Sequence, residues 1–490
     1  MLPSEPPPGN GPSATKLTQT KEPPEMDLDP VLLSRIQFGL TVTFHIVFPT
    51  MSIGLAMLLT VVEALWLRTK DELYLRIYRF WLMIFAMGFG VGVVTGIVLS
   101  FEFGTNSATF ARLAGPVIGP LIGLEVLTAF FLEAGFLGIM LFGMNRVGPK
   151  VHFASTFLVA LGTTISASWI LAANSWMQTP AGIEVQDGRF VVTDWMQVIF
   201  NPSNLYRLPH MLLAAYISAA LLIAGVGAWY LLKREYLDFA RRTFSMGTGL
   251  LSQFIAAQLF MGDTMAVKML PLQPSKFQAM EGYWDPTPTA PYLLVIAPDQ
   301  EAQTNRFQFG IPYLGSLFVT RSLHGTMPGL EETTPNNQPP MGAVFYAFRT
   351  MFLLGLVLFA AACIGIFLRW RRRLFAARWY QKMMLILAPA GLVATVAGWY
   401  TAEMGRQPWV FYGLVRTADA VSPVSGASVL STTLLFAGVY FVFLCAFLAL
   451  TIRVIARGPA DAPATPLYAG PVKRGLATDP ALVLDGGKSS

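Results

Sequence analysis

Charge is scarce in this chain. Of 490 residues, 13% are charged and 54% are hydrophobic. Globular proteins carry about 25% charged residues, so an ordinary soluble fold is excluded. The shortfall runs along most of the length, which indicates a polytopic membrane protein. Cysteine is nearly absent. Cys363 and Cys445 both lie in apolar runs, which excludes a disulfide framework and a CxxC redox pair and reads as small core residues. There are four histidines: His45, His152, His210 and His324. No two are spaced i,i+3 or i,i+4, which disfavours a dinuclear metal site, and no CxxCH is present for covalent haem. Residues 1–30 are Pro-rich with no apolar h-region, so they read as a disordered tail and not a signal peptide. The net charge of +6 concerns which loops face the cytoplasm and gives no sign of a nucleic-acid partner.

What is present is a series of apolar runs, each near the roughly 20 residues that span a bilayer. They fall near 34–66, 80–102, 118–143, 153–175, 207–232, 243–262, 343–368, 383–404 and 429–453. The expected fold is therefore all-α with about nine transmembrane helices. Spans one to six occupy 31–262, spans seven to nine occupy 343–455, and 456–490 form a C-terminal tail. Alternate connections are basic: Arg68, Lys70, Arg76 and Arg79; Arg146 and Lys150; Lys233, Arg234, Arg241 and Arg242; Arg369, Arg371, Arg372, Arg373, Arg378 and Lys382. The positive-inside rule places these in the cytoplasm, with the N-terminus outside and the C-terminus inside. The long connection 263–342 is then outside. Its prolines argue against a folded domain of ordinary size, and Tyr283, Trp284 and Tyr292 argue against pure disorder.

Ionisable residues inside spans cost about 2.5–3.5 kcal/mol each and need a reason. His45 lies in span one, Glu125 and Glu133 in span three, His210 in span five, Arg349 and Met351 in span seven, and Glu403 at the end of span eight, followed by Arg406. Glu125 and Glu133 are eight residues apart, about 80° around a regular helix. His45, Glu125, His210, Met351 and Glu403 converge on the outer half of the membrane from five spans. That pattern supports either a metal or haem site or a proton-coupled transporter, and the residues alone do not choose. His152 and His324 read as a loop-edge and a loop residue.

The segments RIQFGLTVTFHIVFP (35–49), FEFGTN (101–106), GLEVLTAFFLE (123–133), ANSWMQTP (173–180), PDQEAQTNRFQFGIPY (298–313), FYAFRTM (345–351) and GWYTAEMGRQPW (398–409) occur in order. Together they resemble subunit I of the cytochrome bd quinol oxidases, over residues 31–455. The resemblance implies a terminal oxidase of the bacterial inner membrane that oxidises quinol outside and reduces O2 to water. Protons would be taken from the cytoplasm, generating proton motive force. It implies His210 and Met351 as axial ligands of a low-spin haem b, Glu403 for a high-spin haem b and His45 for haem d. Glu125 would face His45, and Glu133 would lie on the proton path. Arg349 and Arg406 would neighbour haem propionates, and Trp399, one turn before Glu403, would pack on a porphyrin. The long connection would be the quinol loop, with Lys276 and Glu281 as quinol contacts. Subunit II, and a small single-span subunit, would be partners. The long connection is short after residue 315, which resembles the branch that includes the cyanide-insensitive oxidases, in which either haem d or a third b-type haem can occupy the oxygen site. Ser107 and Ser175 stand where Trp and Gly are expected. Ser100 stands where some members carry a carboxylate, with Glu102 two positions on. A transporter using only Glu125 and Glu133 has no visible inverted repeat in its support.

Overall fold

The structure is a computed structural model and describes residues 29–459; the expected tails lie largely outside that range. Among the described residues, nine helices are long and apolar enough to cross a membrane. Helix α1 (Pro30–Thr69) begins with proline in its first turn and Asp29 accepting from the Val31 amide at 2.9 Å. A capped start with proline in the first turn is a strong helix signal. At 40 residues it is about 60 Å long, well beyond the roughly 30 Å hydrocarbon core. Helix α2 (Glu72–Thr105) is capped in the same way by Asp71.

The third span is not one regular helix. Helices α3 (Ala108–Glu125) and α4 (Phe131–Phe142) are joined by a π-helical turn, Val126–Phe130. Helix α5 (Pro149–Gln178) follows, then a small hairpin and the short α6 (Trp195–Ile199). Helices α7 (Asn204–Lys233) and α8 (Leu237–Leu272) pair closely. A Cβ on Gly247 would meet the Ala224 nitrogen at 2.5 Å and the Ala220 oxygen at 2.7 Å. Only a residue without a side chain lets two membrane helices approach so closely.

The long connection is folded. Helix α8 continues one extra stretch to Leu272, and α9 (Pro274–Glu281) turns back beneath the loop. The antiparallel hairpin Tyr292–Asp299 with Thr304–Ile311 and helix α10 (Leu314–Thr320) complete it. They close over Phe277, Trp284, Leu293, Ile296, Met327 and Phe345. The prolines punctuate turns between short elements, which is why their number did not preclude a small core.

Helix α11 (Met341–Trp370) re-enters the apolar layer. The next span is split into α12 (Arg378–Ile386) and α13 (Ala390–Met404) around Pro389. The short α14 (Thr417–Ala420) and the long α15 (Gly426–Arg457) end the described chain. Cys363 and Cys445 are exposed on α11 and α15. This corrects the reading as core residues: an apolar span has an outward face as apolar as its core, so composition could not tell the two apart.

Candidate functional site

One cavity of 1580 Å³ runs through the helix layer toward the end that carries the long connection. Small-molecule pockets are typically about 300–1,000 Å³, so this one is sized for more than one such group. His45, Glu125, Glu133, His210, Lys276, Glu281, Met351, Trp399, Glu403 and Arg406 all line it. Arg349 does not.

Three candidate ligands rest against glycines. A Cβ on Gly96 would lie 3.2 Å from His45 Cε1, one on Gly262 3.2 Å from His210 Cε1, and one on Gly398 2.7 Å from Met351 Sδ. The Thr95 hydroxyl donates to the Val91 carbonyl and lies 2.9 Å from His45 Nδ1. With that hydroxyl proton committed to the backbone, Nδ1 is the donor and Nε2 keeps its lone pair. A histidine oriented by its second nitrogen is the usual form of a metal ligand. His210 has Gln258 3.3 Å from Nε2, and its Nδ1 has no partner. Trp399 lies beside Phe38, with ring centroids 6.3 Å apart.

At the loop end, Glu403 is held by α5 and by the turn that follows its own helix. Asn174 and Gln178 of α5 donate to its Oε1 at 3.0 and 3.1 Å, and Arg406 donates to Oε2 at 2.5 Å. Arg207 of α7 donates to Asn174, and Lys276 of α9 to Gln178 and Gln273. Burial holds Lys276 well below its ordinary value, with Arg207 and Arg406 pushing the same way and Glu403 opposing. Two guanidinium groups, of Arg207 and Arg406, and the Lys276 amine therefore surround one carboxylate, and Arg406 Nε and Nη1 are buried without partners. Buried excess charge with free donors calls for an anionic occupant. Haem propionates, together with the imidazole, thioether and carboxylate groups on the walls, fit that requirement. Asn174, Gln178, Arg207 and Gln273 were not singled out in the sequence. The i,i+4 spacing of Asn174 and Gln178 on one face of an apolar helix was the available signal.

Arg349 has its guanidinium donors taken up by the protein itself. Its Nε donates to the Leu293 carbonyl at 2.5 Å, Nη1 to the Met280 carbonyl at 3.2 Å and Nη2 to Glu281 at 3.0 Å. Tyr292 and Phe345 sandwich its guanidinium at 4.2 and 4.4 Å. The side chain fastens the long connection to α11 and fixes Glu281.

The π-turn changes the relation between Glu125 and Glu133. One extra residue in a turn makes eight residues equivalent to about seven, which reduces the roughly 80° offset to about 20°. Both carboxylates consequently meet α5 on one face. Ser166 donates to Glu125 at 2.8 Å, and a Cβ on Gly162, one turn away, would meet Glu133 Cγ at 2.6 Å. Among the expected departures, Ser175 is buried and accepts from Asn201 at 3.0 Å. Ser100 caps back to the Gly96 carbonyl, and both Glu102 carboxylate oxygens are buried without partners.

A sequence profile described as cytochrome bd terminal oxidase subunit I matches residues 33–459. Cytochrome bd ubiquinol oxidase subunit 1 of Bacillus subtilis (strain 168) is 35% identical over 441 residues, covering 87% of this chain and 94% of that protein. Cytochrome bd-II ubiquinol oxidase subunit 1 of Escherichia coli (strain K12) is 31% identical over 500 residues, covering 88% and 97%. The structure of bd oxidase from Geobacillus thermodenitrificans superimposes with a TM-score of 0.82 at 30% identity, covering 88% of this chain and 99% of that one. A profile match over nearly the whole described chain, full-length relatives and a shared helix layout lead to one conclusion: this chain belongs to the cytochrome bd terminal oxidase subunit I family.

Proposed function

We propose that the chain is the haem-carrying subunit of a bacterial inner-membrane oxidase that transfers electrons from quinol to O2. The observation that carries this reading is the cluster of Arg207, Lys276 and Arg406 around Glu403, with the unpartnered guanidinium donors of Arg406, on the wall of a cavity that also holds His45, His210 and Met351. His210 and Met351 would hold a low-spin haem b, Glu403 a high-spin haem b, and His45 a haem d or third b-type haem, with Glu125 facing it. Bound haem supplies one-electron carriage and an iron at which oxygen is reduced.

The chain's own residues account for the rest. Lys276 and Glu281 would receive quinol beneath the folded connection, and Glu281, fixed by Arg349, would accept a proton from a quinol hydroxyl. Arg406 and Arg207 would hold propionate charge close to Glu403. Glu133 and Glu125, on one helix face, would hold protons arriving from the cytoplasmic side, with the N-terminus outside. Taking protons inside and releasing them outside generates proton motive force. Subunit II would cover the sparsely buried outer faces of α3, α8 and α15. A reduced-minus-oxidised visible spectrum of the purified complex tests the reading. Low-spin b-type bands reducible by quinol are expected, and their absence would exclude it. The transporter reading has no observation in its favour that the oxidase does not also explain.

A further inference from the structure

The aromatic cover over Arg349 carries one polar atom more than its packing needs. The Tyr292 ring lies 4.2 Å from the guanidinium, with the Phe345 ring at 4.4 Å. Phenylalanine in place of Tyr292 would present the same ring face to the cation. Tyr292 is 5% exposed, and among the described residues its hydroxyl has no hydrogen-bond partner. A buried hydroxyl left unmet costs free energy, so the partner is a group that the chain itself does not supply. Burial pushes the phenol above its ordinary value; Arg349 opposes the rise and the Glu281 charge adds to it. The hydroxyl therefore keeps its proton at neutral pH and is available as a donor.

The hydroxyl belongs to an aromatic slot on the cavity wall. Tyr292, Phe318, Phe348 and Phe352 line the cavity, and so does Glu281. The Tyr292 ring centroid is 5.5 Å from those of both Phe318 and Phe352, and Phe348 stacks on Phe352 at 6.0 Å. Apolar aromatic walls with a few fixed polar groups suit a flat ring that carries oxygens. Val267 of α8, Phe318 of α10 and Leu356 of α11 line the same cavity and are each more than a third exposed. This part of the cavity therefore reaches the apolar outer surface, from which a membrane-borne ring can enter. Two polar groups meet the slot. One is Glu281, whose Oε2 accepts from Arg349 Nη2 at 3.0 Å. The other is the Tyr292 hydroxyl, whose ring covers that same guanidinium.

We infer that the Tyr292 hydroxyl is a quinol-binding group, donating a hydrogen bond to the quinol oxygen whose proton Glu281 accepts. Tyr292 keeps its own proton; the proton that moves goes from the quinol hydroxyl to the Glu281 carboxylate. This rests on the oxidase reading given above. The test uses the assembled complex and steady-state oxygen consumption with decylubiquinol and menadiol, whichever the wild type oxidises faster. Tyr292→Phe removes the hydroxyl and leaves the ring over Arg349. KM should rise about three- to tenfold, as the loss of one hydrogen bond corresponds to, with kcat within about twofold of the wild type. The visible spectrum should stay as in the wild type. The melting temperature should stay or rise, because the lost hydroxyl had no partner in the chain. Combined with Glu281→Gln, the change should lower kcat/KM by less than the product of the two single losses, because both groups act on one oxygen. A wild-type KM in the assembled Tyr292→Phe complex overturns the inference. So does an altered low-spin band with an unchanged KM, which would assign the hydroxyl to a haem propionate, and so does a double variant that shows the full product. A wild-type complex that oxidises neither quinol instead overturns the oxidase reading itself.

Discussion

Gly398→Ala probes the site through a single methyl group. In an α-helix the change alone favours folding, since alanine exceeds glycine in helix propensity by about 0.8–1 kcal/mol. Here, however, the new Cβ would sit 2.7 Å from Met351 Sδ. Carbon–heavy-atom contacts are comfortable at about 3.5–4.0 Å, so the sulfur must retreat by about 1 Å. Overpacking of this kind costs about 1–3 kcal/mol, so net stability should change by no more than about 2 kcal/mol and the complex should assemble. If Met351 is an axial ligand, a shift of that size weakens or breaks its bond to iron. The reduced low-spin band should move or lose intensity, and carbon monoxide should bind where the sixth position opens. The assay is a reduced and a carbon monoxide-reduced visible spectrum beside a thermal melt. An assembled variant with wild-type spectra in both states would refute the assignment of Met351.

Further changes test other parts of the site. Arg406→Leu leaves Glu403 buried without its ion-pair partner; a loss of about 3–5 kcal/mol and a reduced haem content are expected, read by melting temperature and pigment extraction. Glu281→Gln uncouples the buried pair with Arg349 at 3.0 Å. Quinol-driven turnover should fall at least about tenfold, while oxygen consumption with an artificial one-electron donor is retained; equal loss with both donors would argue against a role at quinol. Deleting Leu127, an exposed residue of the π-turn, should convert the turn to regular α-helix and leave Glu125 and Glu133 on one face. Oxidase activity should survive that deletion, whereas inserting an alanine at the same place should swing Glu133 about 100° away and abolish most of it.

The helix layout was legible because a bilayer demands runs of fixed length, and each expected span has its helix. The site was legible as residues, not as geometry. Periodicity put Glu125 and Glu133 about 80° apart, and the π-turn that realigns them has no sequence rule behind it. Arg349 was singled out by resemblance, and its direction was hidden because the carbonyls it binds belong to a loop more than fifty residues earlier. His152 looked like a loop-edge residue because its partner Glu63 is 89 positions away. The folded connection was hidden by its prolines, since a core of scattered aromatics has no period to detect.

The central claim is that this cavity holds three haems on His45, His210 with Met351, and Glu403. Quantitative pigment extraction from the purified complex, with haem counted per copy of this chain, tests it most directly. Three haems per copy are predicted, two of them b-type and the third d- or b-type. Two or fewer in a fully assembled, quinol-active complex would contradict it.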